Sequence, residues 1–402
     1  MKEGWTYKPL GEVATFVKDG DWIESKDQSQ SGIRLIQTGN IGSGVFRLKD
    51  DKPHYISEET MSKLGCTEIF EGDCLVSRLP NPVGRACLIP NIGCRMITAV
   101  DCSVIRFGVD YLPQLFVYYT QSYKYLNSID DKTTGTTRKR ISRKNLEKIL
   151  IPVPSPTEQE RIVERLDAAF AQIDELKSNA EKQLAEARAL FQSALTQAMQ
   201  PKPGWQEITL KEITTKIGSG ATPKGGKAVY IENGVALVRS MNVHNGFFKY
   251  ENLAHISDEA ATLLNGVELK RNDVLFNITG ASIARCCVVP NDAIPARVNQ
   301  HVAILRPKLD IVDSRFLSYI LLSKTHQKEL LSIGLSGATR QALTKKDLEN
   351  HVVSLPSPDE QRVILDYLDN YSLKVRELEG INRKTAAECD ALKQALLRQI
   401  FE

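Results

Sequence analysis

The stretch PSPTEQERIVERL, residues 154–166, decides the organisation of this chain of 402 residues. Its opening recurs as PSPDEQ at residues 356–361, and apolar residues at alternating four- and three-residue spacing follow each copy. This spacing predicts a long helix of the coiled-coil type after each copy. We predict a capping box at Thr157–Glu160 for the first helix and an Asp359 cap for the second. The predicted seam of the first helix is 162, 166, 169, 173, 176, 180, 183, 187, 190, 194 and 197, and the same ladder shifted by 202 describes the second.

The rest of the chain is also repeated. The segment IRLIQTGNI at 33–41 matches VALVRSMNV at 235–243, and RACLIP at 85–90 matches RCCVVP at 285–290. The matches run in order at offsets of 200–202 residues, which predicts two homologous domains in tandem. Short β-rich runs followed by helical stretches predict an α+β (or α/β) class for each domain.

We predict four segments with distinct roles. Pairing the two helices would bury both apolar stripes, and the short connections favour an antiparallel pair. The expected arrangement has pseudo-two-fold symmetry, with two homologous domains separated by a long antiparallel two-helix coiled coil. The alternative is that each helix packs on its own domain. The segments are a first domain at 1–156, a first spacer helix at 157–200, a second domain at 201–358 and a second spacer helix at 359–402.

Composition excludes several classes of protein. The net charge is +3 on 52 basic and 49 acidic residues, so the chain is no histone-like polycation, although local basic patches remain open. No apolar run approaches the ~20 residues of a membrane span, and the opening MKEGWTYKPL has no apolar signal segment, so we expect a cytoplasmic protein. The eight cysteines lack the short paired spacing of zinc sites and are read as reduced, buried residues.

Motifs of catalysis and cofactor binding are absent from the sequence. The stretch Gly220–Ala228 lacks the lysine and hydroxyl residue of a phosphate-binding loop, and the six histidines are scattered. Asp258, Glu268 and Lys270 have the residue order of a magnesium-dependent nuclease. In the other repeat Phe70 replaces the lysine, so a solvated strand edge is the alternative reading.

Polar stretches in both repeats predict nucleic-acid contacts, because Arg and Lys bind phosphates while Arg, Asn and Gln pair with base edges. They are a basic loop at 132–148, a glycine-rich loop at 217–227, and the polar strand ends near 37–40 and 77–78. The equivalent stretches of the other repeat are 334–350, 17–22, 239–242 and 277–279. Any one stretch could be ordinary surface. The candidate DNA-binding residues are Lys18, Gln37, Asn40, Arg78, Thr134, Thr137, Arg138, Lys139, Arg140, Lys224, Lys227, Arg239, Asn242, Asn277, Thr339, Arg340 and Gln341.

The joint pattern says more than any single stretch. The two homologous domains carry different polar loops. A rigid pair of helices between them would favour one distance between two bound half-sites. Two DNA half-sites about one helical turn apart, ~34 Å, are the natural ligand for such a chain. Because the loops differ, we expect the two half-sites to differ in sequence.

The repeated motifs, taken together and in order, resemble those of the specificity subunit of type I restriction–modification enzymes. The marks are the Gly-Trp openings, Gly72-Asp73 with Asn272-Asp273, the Gly-x-Thr-Arg segments, and Pro-Ser-Pro-x-Glu-Gln before each helix. The resemblance covers the whole chain. It implies two target recognition domains that each read half of a bipartite, asymmetric DNA target.

The resemblance further implies that the helices set the distance between half-sites and dock two modification subunits. Those subunits would use S-adenosylmethionine to methylate adenine, and restriction subunits would add ATP- and magnesium-dependent cleavage. No catalytic residue, cofactor or metal is then expected in this chain. The alternatives are a scaffold that pairs two partner subunits without touching DNA, and a stand-alone magnesium-dependent nuclease.

Overall fold

A computed structural model of the chain describes residues 4–135, 139–223, 225–335 and 342–402, without the side chains of Lys227 and Leu335. The contacts divide the chain into two compact units. The first unit holds the residues up to Ala180 together with Asn382–Glu402, and the second holds Glu181–Ile381. Each long helix therefore contributes to both units, whereas our four predicted segments keep the helices whole. Those segment boundaries stay a prediction.

The first unit mixes strands and helices throughout. Its elements are β1 (Thr6–Pro9), α1 (Leu10–Val13), β2 (Ala14–Asp19), β3 (Ile33–Ile36), β4 (Tyr55–Ile56), α2 (Glu58–Leu64), β5 (Glu68–Ile69), β6 (Cys74–Ser77), β7 (Ala86–Leu88), β8 (Met96–Thr98), β9 (Cys102–Phe107), α3 (Pro113–Tyr119), α4 (Tyr123–Asp130), α5 (Arg143–Glu147), β10 (Leu150–Val153) and the part of α6 (Pro156–Ala198) before residue 181.

The second unit repeats this order of elements with two differences. Its elements are β11 (Gln206–Thr209), α7 (Leu210–Ile213), β12 (Thr214–Ser219), β13 (Val235–Val238), β14 (Val243–His244), β15 (Phe247–Phe248), β16 (Ala254–Ile256), α8 (Asp258–Thr262), β17 (Val274–Asn277), β18 (Cys286–Val288), β19 (Ala296–Val298), β20 (Val302–Pro307), α9 (Ser314–Leu322), α10 (Lys324–Leu335), α11 (Lys345–Asn350), β21 (Val352–Leu355) and the part of α12 (Pro358–Phe401) before residue 382. It has an additional strand pair, β14 and β15, and within its described residues it has no strand equivalent to β5.

A four-stranded antiparallel sheet lies at the centre of each unit. Its strand order is β2-β9-β6-β7 in the first unit and β12-β20-β17-β18 in the second. A second sheet has the order β4-β3-β8-β5 or β16-β13-β19, with β3 parallel to β8 and β13 parallel to β19. The predicted α+β class is confirmed, and so is the prediction of two homologous domains.

The central strand of each antiparallel sheet is apolar on both faces because both faces are covered. Cys74 and Val76 pack in the core that α3 and α4 share, while Leu75 between them packs against residues of the second sheet. Val274, Phe276 and the intervening Leu275 divide in the same way in the second unit. Side chains alternate along a strand, so a strand that is buried on both faces reads as a continuous apolar run.

One ion pair recurs with the same geometry in both units. The Arg106 guanidinium donates to both carboxylate oxygens of Asp73, at 2.7 and 2.8 Å. Arg306 donates to Asp273 at the same two distances, and the Asp273 side chain is fully buried. This pair explains why the sequence repeats an aspartate directly before β6 and β17.

The helix caps differ from our prediction. Both long helices begin at the second proline of the repeated motif, with Ser155 and Ser357 as the preceding cap residues. Their hydroxyl oxygens accept from the amides of Glu158 and Glu360, at 3.4 and 3.3 Å. The predicted capping box at Thr157–Glu160 is wrong, because proline is favoured at the first helical position, which places the cap at Ser155, two residues before Thr157.

The glutamine of the repeated motif ties each long helix to its unit. The Gln159 side chain accepts from the amide of Leu112 at 2.8 Å and donates to the carbonyls of Asp110 and Pro154, at 2.9 and 3.0 Å. Gln361 makes three equivalent hydrogen bonds. Both glutamines are 1% exposed. The repeated Glu-Gln sequence therefore includes a buried structural residue.

The seam of α6 deviates from the predicted ladder in its second half. Positions 162, 166, 173 and 194 are buried as predicted, but Leu176 and Leu190 are 59% and 62% exposed. Partly buried residues lie instead at 177, 184, 191 and 198. The prediction counted only apolar residue types and therefore missed Lys177. The aliphatic part of this side chain lines the seam, while its ammonium group lies 3.2 Å from Asp390.

The two long helices pair in antiparallel fashion within each unit. In the first unit Lys177 lies beside Asp390, and Asp174 lies 2.5 Å from Lys393. In the second unit the Arg188 guanidinium lies 2.7 Å from Glu379. The prediction of two long paired helices is confirmed, because residue numbers on one helix rise as those on the other fall.

None of the helices in the described ranges combines the length and apolarity that crossing a membrane would require. All eight cysteines are free, and six of them are buried as predicted, but Cys94 is exposed and Cys66 is only partly buried. Burial raises the pKa of Cys87, Cys102 and Cys287 to about 12. A thiol in such surroundings stays protonated at neutral pH and packs as a small apolar group.

Candidate nucleic-acid interface

Three strand ends meet at one edge of the central sheet of the first unit. Asp19 at the end of β2 pairs with Ser103, and Ser77 at the end of β6 pairs with Cys102. Because β9 is antiparallel to both neighbours, its beginning lies between their ends. We call this group of residues, with the loop residues 130–135 and 139–141, the first edge. The sequence segments around Lys18, Arg78 and Arg140 all reach it.

Arg78 anchors the first edge. Its guanidinium lies 3.1 Å from Asp19, it donates to the carbonyl of Val100, and its backbone amide donates to Asp101 at 2.9 Å. Its side chain is 4% exposed, and this burial lowers its pKa while Asp19 opposes the shift. The Arg78 guanidinium is therefore a buried positive charge that lies behind the exposed residues of the first edge.

The exposed positive charge of the first edge lies on the neighbouring loop. Arg140 lies 3.2 Å from Asp101, and Lys139 lies 3.5 Å from Asp130, with both basic side chains about half exposed or more. Thr134 and Arg140 exchange backbone hydrogen bonds of 2.9 Å. Lys18, which is partly buried on β2, donates to Thr67. The structure thus brings five predicted residues to one edge: Lys18, Arg78, Thr134, Lys139 and Arg140.

The second unit has an equivalent edge. Ser219 at the end of β12 pairs with Ala303, and Asn277 at the end of β17 pairs with Val302. A glycine follows β2 and β12 in both units. A Cβ at Gly20 would lie 2.3 Å from the carbonyl oxygen of Ala99, and one at Gly220 would lie 1.6 Å from that of Val298. The strand ends therefore pack on the second sheet in the same way in both units.

Among the described residues, the second edge carries threonine, glutamine and histidine side chains where the first carries lysine and arginine. A hydrogen bond of 2.6 Å joins the Thr279 hydroxyl to His301 Nδ1, and one of 3.1 Å joins Gln300 to His301 Nε2. Thr222 donates to Gln300. Our residue list missed Thr222, Thr279, Gln300 and His301. The repeat could have revealed His301, because it aligns with Asp101 of the first edge.

Two asparagines that we predicted to read bases are buried and bonded to the backbone. Asn40 accepts from the amide of Gln37 at 2.9 Å and donates to the carbonyl of Arg47 at 2.9 Å. Asn242 makes the same pair of bonds, at 3.1 and 2.9 Å, and is fully buried. In this conformation both side chains shape the turn that follows β3 or β13 and do not face solvent.

The same turn is fastened to the sheet by different side chains in the two units. Arg85 donates to the carbonyls of Thr38 and Ile41, at 2.8 and 2.7 Å. Asn277 donates to the equivalent carbonyls of Ser240 and Val243, at 2.9 and 3.4 Å. Asn277 is fully buried, so its observed role is structural, although we had predicted it as a DNA contact.

The remaining predicted residues divide into two groups. Gln37 and Arg239 are partly exposed beside the turn, and the Arg239 guanidinium lies 5.4 Å from the centre of the Tyr230 ring. The others lie outside the described residues: Thr137, Arg138, Lys224, Thr339, Arg340, Gln341 and the side chain of Lys227.

The nuclease alternative gains no support from the geometry. The Glu268 carboxylate lies 3.6 Å from the guanidinium of Arg297 and is engaged in an ion pair. The amide of Lys270 donates to Asp273, so its segment serves the repeated Asp273–Arg306 pair.

Comparison with known proteins identifies the class. Residues 2–186 and 202–388 each match the family model of the type I restriction modification DNA specificity domain. The EcoBI specificity subunit of Escherichia coli is 27% identical over 303 residues, a match that spans 69% of this chain and 63% of that subunit. The EcoKI specificity subunit of Escherichia coli K12 is 21% identical, over all of this chain and 89% of that protein.

Two solved structures share the fold along the whole chain. One is a chain from a study of complex assembly and conformational transition in the type I R-M system, with a TM-score of 0.73, 23% identity, and coverage of 100% of this chain and 98% of that one. The other is the HsdS subunit of Thermoanaerobacter tengcongensis, with a TM-score of 0.50, 22% identity, and coverage of 99% and 96%.

The chain belongs to the family of type I restriction–modification DNA specificity domains and carries two copies of that domain. The predicted family is confirmed. The chain is accordingly a non-catalytic specificity subunit.

Proposed function

We propose that this chain selects the DNA target of a type I restriction–modification complex, and that each unit reads one half of a bipartite, asymmetric site. The observation that supports the proposal best is the contrast between the two edges. Equivalent strands end in equivalent positions, but one edge presents Lys139 and Arg140 while the other presents Thr279, Gln300 and His301. Different donors and acceptors on one frame are expected to read different base pairs.

The paired helices are proposed to set the spacing of the half-sites and to dock two modification subunits. Chain-internal repetition offers two similar surfaces to two copies of one partner. The modification subunits would bind S-adenosylmethionine and methylate adenine, and restriction subunits would add ATP- and magnesium-dependent cleavage. The chain would work on DNA in the cytoplasm.

Long-read methylation profiling of cells with and without this gene tests the proposal. We expect one split adenine-methylated motif, with two unlike halves, to vanish on deletion and to return when the gene is restored. A methylome that the deletion leaves unchanged, although the modification subunits are produced, would favour the scaffold alternative. DNA binding by the purified complex would then decide between the two.

Exposed Arg140 is proposed to contact a phosphate. Replacing it with alanine in the assembled complex should weaken binding to target and non-target duplexes alike, and should reduce the slope of log affinity against log salt by about one. Lys8→Ala is the matched control, because Lys8 is exposed on β1, which leads to the opposite end of β2. Fluorescence anisotropy over a salt series measures both quantities. An Arg140→Ala complex that keeps the parental slope would contradict this role.

Gln300 is proposed to contact a base edge. Because it is neutral, Gln300→Ala should relax one position of one half-site, by about 1–3 kcal/mol of discrimination, and leave the salt slope unchanged. Methylation profiling of the variant measures which position relaxes. Relaxation in both half-sites, or in neither, would show that this residue does not read a base in its own half.

A further inference from the structure

We propose that the second unit holds a divalent transition metal ion, with Zn²⁺ as the best fit, bound by His326, Glu329 and His351. The proposal does not depend on the function argued above, and it departs from our prediction that the chain contains no metal site. One ligand atom from each of the three residues lies within 4.8 Å of the other two. Two imidazole nitrogens and one carboxylate oxygen form a ligand set that zinc commonly uses, with water in the fourth position.

The local structure brings these residues together. His326 and Glu329 are three residues apart on α10, so they lie on the same face of that helix. His351 stands between α11 and β21, and its carbonyl accepts from the amide of Leu210 at 2.9 Å, which fixes its backbone. His326 Nδ1 lies 2.9 Å from His351 Nε2. Ligand atoms around a tetrahedral zinc ion lie about 3.3 Å apart, and one ion binds only one nitrogen of an imidazole ring. His326 faces Nε2 of His351 while Glu329 faces Nδ1, so binding requires the His326 side chain to turn toward Nδ1.

A second observation points to a ligand. The His351 side chain is fully buried, and its Nδ1 atom has no hydrogen-bond partner among the described residues. That nitrogen faces the Glu329 carboxylate at 3.9 Å, beyond hydrogen-bond distance. A buried polar group without a partner is costly. An ion bound to Nδ1 of His351, to the Glu329 carboxylate and to the turned His326 side chain would remove this cost.

The first unit provides an internal comparison. The residues that align with His326 and His351 are Tyr125 and Ile149, and both are fully buried in the apolar core. The Tyr125 hydroxyl donates to the carbonyl of Gly84 at 3.0 Å, so its polar atom has a partner. Ser128 aligns with Glu329. The first unit thus has core packing at these positions, while the second unit has two imidazoles and a carboxylate.

A route for the ion exists. Glu329 is half exposed and lines an open cleft of about 650 Å³ together with Lys324, Lys328 and Ser332. The buried His351 and the partly buried His326 thus lie next to a carboxylate that solvent can reach. In this arrangement Glu329 would receive the ion and offset the two neighbouring lysines, and the histidines would complete the site.

Metal binding by the untagged full-length chain, co-purified with its partner subunits if it needs them, tests the proposal. After treatment with a chelator, the wild-type chain should take up one more equivalent of Zn²⁺ than the Glu329→Gln and His326→Ala chains. Co²⁺ in place of Zn²⁺ should produce the visible absorption of a tetrahedral ion, and added Zn²⁺ should raise the thermal midpoint by several degrees. Loss of one ligand is expected to weaken binding at least tenfold.

His255→Gln is the matched control, because His255 lies on β16 of the same unit and outside the cluster. It should bind zinc as the wild type does. Glu329→Gln carries the test if His326→Ala does not fold, since Glu329 is half exposed on a helix. Equal zinc uptake by the wild-type and Glu329→Gln chains would overturn the proposal, and so would a wild-type chain that neither binds zinc nor is stabilised by it.

Discussion

Asp273→Asn is expected to destabilise the second unit by about 3 kcal/mol, at the low end of the range for breaking a buried ion pair. The Asp273 side chain is fully buried and accepts from the Arg306 guanidinium and from the amide of Lys270. Its replacement leaves the guanidinium, which is only 20% exposed, without a counter-charge. Urea unfolding should show a lower midpoint for the transition of the second unit.

Glu251→Gln is the control for charge alone, because Glu251 forms an exposed pair with Lys249 in the same unit. Exposed pairs contribute little, so its unfolding midpoint should stay near that of the wild type. Asp73→Asn should reproduce the Asp273 effect in the first unit, where the geometry of the pair is the same. A midpoint for Asp273→Asn equal to that of Glu251→Gln would contradict the structural importance of the repeated pair.

Gln159→Ala should destabilise the first unit by about 2–4 kcal/mol, because it leaves one buried amide and two carbonyls without partners. Those groups belong to Leu112, Asp110 and Pro154, so the connection between α3 and the start of α6 should loosen. Hydrogen exchange should therefore show faster opening at the first turn of α6. Stability measured by urea unfolding provides the magnitude.

Gln172→Ala on the exposed face of α6 is the matched control and should change stability little. Gln159→Glu keeps an acceptor for the Leu112 amide but sets a buried carboxylate oxygen against two carbonyl oxygens, so it should destabilise the unit at least as much as the alanine variant. If Gln159→Ala and Gln172→Ala unfold at the same urea concentration, the buried glutamine does not tie the helix to its unit.

The elements that could be predicted from the sequence are those that depend on local patterns and on the repeat. The long helices follow from apolar spacing, and the structure has them at Pro156–Ala198 and Pro358–Phe401. The cap at Ser155 was missed because Thr157 and Asp359 also suit a helix cap. Only the fold of the chain around the proline decides between them.

The candidate site was harder to predict because residue type does not reveal burial. Asn40, Asn242 and Asn277 have the chemistry of base-reading side chains, yet each is bonded to backbone groups that only the folded chain brings close. His326 and His351 were dismissed as scattered because 25 residues separate them along the chain. Tertiary contacts decide these roles, and no local periodicity encodes them.

The two ways of fastening the turn have a consequence for building hybrid proteins. Arg85 holds Thr38 and Ile41 in one half, while Asn277 holds Ser240 and Val243 in the other. Transplanting β6 alone into the second unit would put a serine at position 277 and remove both hydrogen bonds that Asn277 donates to the turn. Functional chimaeras should therefore exchange β13, its turn, β17 and the segment up to position 285 together, so that each turn keeps the side chain that holds it.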